Sequence, residues 1–233
     1  MQDDIFGSAF QAFLASGEDD PISVWIDGIE QDGLLPSYFF RTYDDMPKLE
    51  QNALKLANGK TLDVGAAAGC HAIWLQENGI DVTALEISKK AAEVCSSRGV
   101  EKVICADFFA FNDQKFDTIL LLMNGFGMGQ NVEGTERLMQ HAMGLLNPGG
   151  QIIGDTSDIS YFDEIDGMDM SDLNEDYYGC VFFELEWKSL AESFNWIYPA
   201  PALLSEIASR NKWKFEILQN GPHHDFLLRF SHL

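Results

Sequence analysis

Apolar residues recur along the chain at two spacings, and the way these alternate predicts the order of elements. Ile5, Phe6, Ala9, Phe10, Phe13 and Leu14 return at helical intervals, forming one apolar stripe that ends near Gly17. Residues 21–36 are mixed, with Val24, Trp25, Ile26 and Ile29 fitting a short helix. Tyr38-Phe39-Phe40-Arg41-Thr42-Tyr43 then sets aromatic rings around one arginine, a composition suited to a lid or wall, or to anchoring the N-terminal layer. Leu49, Ala53, Leu54 and Ala57 predict a helix stopped by Asn58-Gly59.

From there the spacing switches repeatedly between strand and helix. The apolar run at Leu62 to Val64 feeds the turn Gly65-Ala66-Ala67-Ala68-Gly69, and a helix from about His71 to Asn78 closes at Gly79. Ile80 to Ile87 reads as a buried strand ending in Glu86. A helix over Lys89 to Ser97, stopped at Gly99, leads to a third strand at Val103 to Ala106, followed by Asp107-Phe108. Strand, helix, strand at these lengths predicts parallel, right-handed crossovers. Phe116 to Met123 is nearly continuous and apolar, as expected of a central strand buried on both faces. It breaks at Asn124-Gly125 into a glycine-rich stretch around Phe126 and Met128, expected to be a flexible loop.

Leu138, Met139, Ala142, Leu145 and Leu146 predict another helix, which Pro148-Gly149-Gly150 turns into a strand over Gln151 to Gly154 ending at Asp155. The polar stretch from Asp155 to Asp176 is too long for a routine connection. Alternation at Cys180 to Trp187 and at Phe194 to Tyr198 predicts an antiparallel insertion. A helix opening at Pro201 ends near Asn211. Strands Lys214 to Leu218 and Phe226 to Phe230 follow, the first parallel and the second reversed, joined by a turn holding His223-His224.

Composition narrows the classes of partner. The chain has 233 residues, 46% of them hydrophobic, enough to bury a sizeable core in one domain over residues 1–233. Its parts are an N-terminal helical cap over 1–46, a ligand-binding core over 47–155, an insertion over 156–199, and a closing helix and strands over 200–233. With 37 acidic against 15 basic residues the net charge is −22, which opposes nucleic acid and anionic membrane as partners. A small-molecule substrate and a cytoplasmic location are expected, since no run is long and apolar enough to span a bilayer and the start is acidic. Cys70, Cys95, Cys105 and Cys180 form no CxxC pair, so reduced thiols are expected and no metal site. Oligomeric state leaves no mark.

An open, mostly parallel sheet binds its ligand along the carboxyl ends of its strands. That rule collects the Gly65 to Gly69 turn, Glu86, Asp107-Phe108, Asn124-Gly125, Asp155 and the His223-His224 turn. Glu86 lies about twenty residues beyond Gly65, the separation at which an acid accepts the hydroxyls of a ribose. One of the turn histidines could serve as a base, and Asp155 and Asp158 could bind an amine or a metal, although isolated carboxylates are weak evidence for either.

Leu62 to Gly69, Glu86, Asp107-Phe108, the Phe116 to Asn124 strand and Leu146-Asn147-Pro148-Gly149-Gly150 occur in the order of the motifs of class I S-adenosylmethionine-dependent methyltransferases, which this sequence resembles. The resemblance covers roughly Pro47 to Asp155 and the closing strands. It implies an α/β, doubly wound, mostly parallel seven-stranded sheet, the Rossmann-like methyltransferase fold, here with N-terminal helices and a β-hairpin insertion. It also implies S-adenosylmethionine as cofactor and transfer of its methyl group to an acceptor. Asp63 and the backbone of Gly65, Ala66, Ala67 and Gly69, with His71, would hold the methionine portion, and Glu86 the ribose. Asp107 would bond the adenine amino group, with Ile87 and Phe108 on the ring faces, and Met123 and Asn124 would line the cleft beside the sulfonium. Arg41 is expected to close over the cofactor carboxylate. One departure is that alanine stands where the family's G-x-G-x-G has its middle glycine. The Asn-Pro-Pro-Tyr type of motif carried by amino methyltransferases of nucleic acid is absent.

Two other functions fit parts of this pattern. A nicotinamide-dependent oxidoreductase shares the glycine turn and ribose acid, but its G-x-G-x-x-G fingerprint is broken here by Ala67 and Cys70. A methyltransferase-like binding protein without turnover would carry the same residues.

Overall fold

In a computed structural model that describes residues 4–160 and 177–233, the strands form two sheets. The elements in chain order are α1 (Ile5–Ser16), β1 (Ile22–Ile26), β2 (Ile29–Leu34), α2 (Lys48–Leu56), β3 (Lys60–Val64), α3 (Cys70–Glu77), β4 (Asp81–Glu86), α4 (Lys89–Ser97), β5 (Val103–Cys105), β6 (Phe116–Leu121), α5 (Val132–Gly144), β7 (Leu146–Ser157), β8 (Cys180–Trp187), β9 (Leu190–Ile197), the helix Pro201–Arg210, here α6, β10 (Trp213–Asn220) and β11 (Asp225–His232). The larger sheet has seven strands in the order β10-β11-β7-β6-β3-β4-β5, and the smaller has the order β2-β1-β8-β9. Contacts divide the chain into two compact units, residues 1–46, 59–111 and 182–194 in the first and 47–58, 112–181 and 195–233 in the second. No helix among the described residues is long and apolar enough to cross a membrane.

In the first unit β3, β4 and β5 pair in parallel, Leu62 opposite Thr83 and Leu85 opposite Ile104. β3 is buried over its last four residues, which is why it reads as a continuous apolar run around Asp63. α3 and α4 supply the crossovers between these strands. Ser88 caps α4, its hydroxyl accepting from Ala91 N at 2.9 Å. The N-terminal stripe forms α1, which ends at Gly17 in the left-handed conformation.

The helix expected over Val24 to Ile29 is instead a hairpin, β1 pairing antiparallel with β2. Asp27 (φ 50°) and Gly28 (φ 78°) both take left-handed backbone, the demand of a tight two-residue turn. Val24, Trp25, Ile26 and Ile29 fit either period, so the Asp-Gly pair decides. β1 also pairs antiparallel with the first-unit part of β8, Val24 opposite Leu185, so the predicted insertion is a continuation of the N-terminal hairpin. Ile5, Ala9, Ile22, Val24, Leu185 and Trp187 pack into one buried cluster between this sheet and α1.

In the second unit β6 pairs in parallel with β7, and β11 runs antiparallel to both β7 and β10. β10 therefore points along β7, as the crossover through α6 requires. β7 begins at Leu146, earlier than the predicted Gln151, with an irregularity in register as its partner passes from Phe116 to Thr118. The Pro148-Gly149-Gly150 turn falls at that irregularity. The glycine-rich stretch expected as a loop is a short helical turn over Gly125–Gly129. Phe126 anchors it, fully buried with its ring 5.8 Å from that of Phe230. Most of the predicted polar connection, residues 161–176, lies outside the described residues.

Two glycines of the first unit should respond differently to the same substitution. A Cβ on Gly69 (φ 85°) would stand 2.7 Å from Cys95 Sγ, whereas one on Gly99 (φ 100°) would meet nothing within 4 Å. Gly99→Ala is expected to cost about 1 kcal/mol of backbone strain. Gly69→Ala is expected to cost a further ~1–3 kcal/mol of overpacking, both read from urea denaturation midpoints.

Candidate functional site

Strand ends of the first unit gather most of the residues singled out above. β3 ends in a turn whose amides fold back onto β4, Gly65 N and Ala66 N both donating to Leu85 O at 2.9 and 3.1 Å. Gly69 N donates to Ala66 O at 2.7 Å, which closes the turn into α3. Gly65 (φ 70°) is exposed, and a Cβ there would meet open space, so the left-handed backbone and not packing explains this glycine. Ala67 takes φ 50°, a conformation glycine adopts freely and alanine does not. The departure from the family's glycine pattern is thus met by bending alanine into the glycine conformation. Asp63, in β3 just before the turn, is 2% exposed.

The carboxylate that holds this turn belongs to Glu86 at the end of β4. Its Oε2 accepts from Ala67 N at 2.8 Å and its Oε1 from Ser88 N at 2.9 Å. Burial pushes its proton affinity above the ordinary carboxylate value, against amide bonds from Ser88, Ala67 and Ile87 that pull it down, while the Asp4 charge adds to the rise. Ionised, each oxygen has lone pairs beyond the one its amide uses. Ile87 beside it is 71% exposed, a large apolar side chain facing solvent at a strand end. At the end of β5, Asp107 is exposed and caps a short turn through Phe109 N at 2.9 Å, and Phe108 is buried.

Cys70 and His71 open α3, both buried. Burial pushes the Cys70 thiol up, but the His71 charge and hydrogen bond, followed by the Arg41 charge, outweigh it and leave the thiol below its ordinary value. Arg41 is itself buried; its Nη1 donates to Tyr38 O at 2.6 Å, and the guanidinium sits 4.1 Å from the Tyr38 ring centre. The neighbouring aromatics anchor the segment, Phe39 on Phe10 at 4.9 Å, Phe40 on Phe13 at 4.7 Å and Tyr43 stacked on Trp74 at 4.6 Å.

A second arginine, not marked by the sequence pattern, joins that segment to the turn. Arg98 Nη1 donates to Ala68 O at 2.6 Å, Nη2 donates to Phe40 O at 3.2 Å, and the guanidinium lies 4.5 Å from the Phe40 ring centre. It follows the last residue of α4, where a basic residue is ordinary, so its position alone carried no signal.

In the second unit, β6 leads into Met123 (φ 57°) and Asn124 (φ 58°), two consecutive left-handed residues. Asp155 of β7 secures them, Oδ1 accepting from Met123 N at 2.7 Å and Oδ2 from Asn124 N at 3.0 Å. Both oxygens of the Asp155 carboxylate thus accept backbone amides. Asp158 differs: Tyr178 donates its hydroxyl to Oδ1 at 2.9 Å, and Asp158 N donates to His224 O at 2.8 Å. Burial raises Asp158, but bonds from Ser160 and Tyr178 and the His224 charge hold it below the ordinary carboxylate value. His223 and His224 are both exposed in the turn after β10, and His223 N donates to Asp225 Oδ1 at 2.9 Å. Among the described residues no three His, Cys, Asp or Glu side chains converge on a metal position.

Fold and strand-end turn together define a Rossmann-like methyltransferase. Residues 62–154 match the model of a methyltransferase domain. The chain is similar to a SAM-dependent methyltransferase from Bacteroides fragilis, solved with S-adenosyl-L-homocysteine, at 35% identity and a TM-score of 0.88 over 98% of this chain and 94% of that one. It therefore belongs to the class I S-adenosylmethionine-dependent methyltransferases. Likeness in fold extends to the CcbJ methyltransferase of Streptomyces caelestis, with 13% identity and a TM-score of 0.61 over 82% of this chain and 94% of that one. It extends also to the sugar N-methyltransferase KedS8 of a Streptoalloteichus species, with 16% identity and a TM-score of 0.56 over 83% and 87%. No curated protein matches the chain.

The left-handed alanine makes a direct prediction. Ala67→Gly should stabilise the protein by about 1 kcal/mol by relieving the φ penalty, an effect partly offset by greater freedom in the unfolded chain. A rise in the thermal midpoint checks this.

Proposed function

We propose that the chain transfers the methyl group of S-adenosylmethionine to a small-molecule acceptor, with the donor held on the Gly65–Gly69 turn and Glu86. The observation carrying this reading is the Glu86 carboxylate, fixed by Ala67 N and Ser88 N at a strand end beside an exposed glycine backbone. Both features suit the donor. The open face at Gly65 lets a polar chain approach the backbone, and an oriented carboxylate with spare lone pairs accepts a pair of sugar hydroxyls. Exposed Ile87 offers an apolar face for a base, and Asp107 keeps an acceptor for an exocyclic amine. Gly65, Ala66, Ala67 and Gly69, with Asp63, His71 and Arg41 around them, form the methionine end of the proposed set. Phe108, Met123 and Asn124 stay in it on the family pattern alone.

Bound there, the donor supplies an electrophilic methyl on a sulfonium, displaced in line by the acceptor atom. The chain's own residues then have three tasks. Glu86 and the turn amides orient the donor, which removes orientational entropy from the displacement. The aromatic segment over Tyr38 to Tyr43, tied to the turn by Arg98, shields it from water. A base takes the acceptor's proton where the acceptor carries one at reaction pH. Of the two turn histidines, His224 is favoured, because Asp158, whose carboxylate accepts from the Tyr178 hydroxyl, donates its own amide to His224 O and so fixes the turn that carries it. The sugar N-methyltransferase among the fold neighbours makes sugars and amines the first acceptors to try.

Calorimetric titration with S-adenosylhomocysteine, S-adenosylmethionine and NAD should show binding of the first two and none of the third. Glu86→Ala is expected to weaken homocysteine-ligand binding by on the order of 10- to 100-fold, the worth of hydrogen bonds to a charged group. In a labelled-methyl assay across hydroxyl and amine acceptors, His224→Ala should lower turnover by about 100-fold while His223→Ala leaves it near wild type. NAD binding, or unchanged affinity in Glu86→Ala, would overturn the reading.

A further inference from the structure

The first turn of α1 is joined to the donor residues by an unbroken line of hydrogen bonds. Asp4 caps α1, its Oδ1 accepting from Gly7 N at 2.9 Å, and its Oδ2 accepts from Ser88 Oγ at 2.7 Å. Ser88 caps α4 through the same hydroxyl and donates its own amide to Glu86 Oε1. Glu86 in turn holds Ala67 N. The cap of one helix, the cap of another, the strand-end acid and the glycine turn thus form a single relay. Lys90 Nζ donates to Ser8 Oγ at 2.7 Å and fastens the same turn of α1 a second time. Only glycine allows so close an approach at position 7, where a Cβ would stand 2.5 Å from Ser88 Oγ and 2.6 Å from Lys90 Cβ.

A cap alone has no need of charge, since serine and asparagine cap helices as well as aspartate does. The negative charge of Asp4 has another consequence, because it faces a buried carboxylate of the same sign. Among the described residues, and burial aside, the groups that act most on Glu86 are the amides of Ser88, Ala67 and Ile87 and then the Asp4 charge at the start of α1, with the Cys95 thiol of α4 also coupled to it. Of these, Asp4 carries the charge that opposes ionisation of Glu86.

We propose that Asp4 is a positioning residue for the methyl donor: acting through Ser88, it fixes the Glu86 carboxylate and makes donor binding weaken on acidification. The inference rests on the proposed role of Glu86 as ribose acceptor. Ionised Glu86 accepts from both hydroxyls and from the amides around it, whereas protonation converts one oxygen into a donor facing donors. Because Glu86 holds its proton more tightly than an ordinary carboxylate, affinity is complete above that raised value and is lost as pH falls through it. Removing the Asp4 charge moves Glu86 back towards the ordinary range, so the loss shifts to lower pH.

The full chain titrated calorimetrically with S-adenosylhomocysteine from roughly pH 8 down to the ordinary glutamate value tests this. Asp4→Asn keeps the cap through its amide oxygen, and its NH2 can donate to Ser88 Oγ once that hydroxyl turns to accept. It should bind within about twofold of wild type at pH 8, with the acid midpoint moved to lower pH. Gly7→Ala, which pushes α1 off Ser88 and leaves Asp4 intact, should weaken binding about fivefold at pH 8. Glu86→Gln should abolish the acid dependence. An acid midpoint unmoved in Asp4→Asn overturns the positioning role while leaving the donor site standing. Acid dependence that persists in Glu86→Gln overturns both.

Discussion

A buried carboxylate at a strand end is the constraint on which the donor side of this protein depends. Taking the charge of Glu86 out of water costs several kcal/mol, and the raised proton affinity of the group is a sign of that cost. Charge-assisted bonds from Ala67 N and Ser88 N offset it, and they do so only while both amides are aimed at it. The acid therefore dictates two pieces of backbone at once, the bend of the glycine turn above β3 and the first turn of α4. Ala67 tolerates its left-handed conformation because its amide has this partner.

The second unit repeats the device with other residues. Asp155 near the end of β7 holds the amides of Met123 and Asn124, a pair of left-handed residues that ends β6. In each unit a parallel strand presents a carboxylate that orders the turn leaving its neighbour, so irregular backbone is secured from beside it instead of from its own sequence. Asp158, three residues on, is organised by a side chain, Tyr178, and is drawn to the turn holding His224.

Much of the larger sheet was legible because burial on both faces leaves few ways to read an apolar run. β6 stands out as a continuous stretch, and α4 runs over Lys89–Ser97 as its stripe and the glycine after it require. The smaller sheet was not legible. Val24, Trp25, Ile26 and Ile29 suit a helix face as well as a strand, so only the Asp27-Gly28 turn marks the hairpin, and the strand that extends it, Leu185 with its neighbours in β8, lies far along the chain. The site was read in the same uneven way. Glu86 and the glycine turn follow from a spacing, whereas Arg98 and Asp155 act through backbone groups of distant residues, and such bonds leave no pattern in sequence. Arg41 drew notice as a lone cation among aromatics; it packs on Tyr38, one of those aromatics.

By the proposed function, the strand-end carboxylate and the turn beside it receive the methyl donor. A crystal structure with S-adenosylhomocysteine bound tests it most directly. Both ribose hydroxyls are expected within hydrogen-bonding distance of Glu86, Ile87 against the adenine, and the amino acid end along Gly65 to Gly69. A ligand seated elsewhere, or a Glu86 carboxylate bonded only to backbone amides, would contradict it.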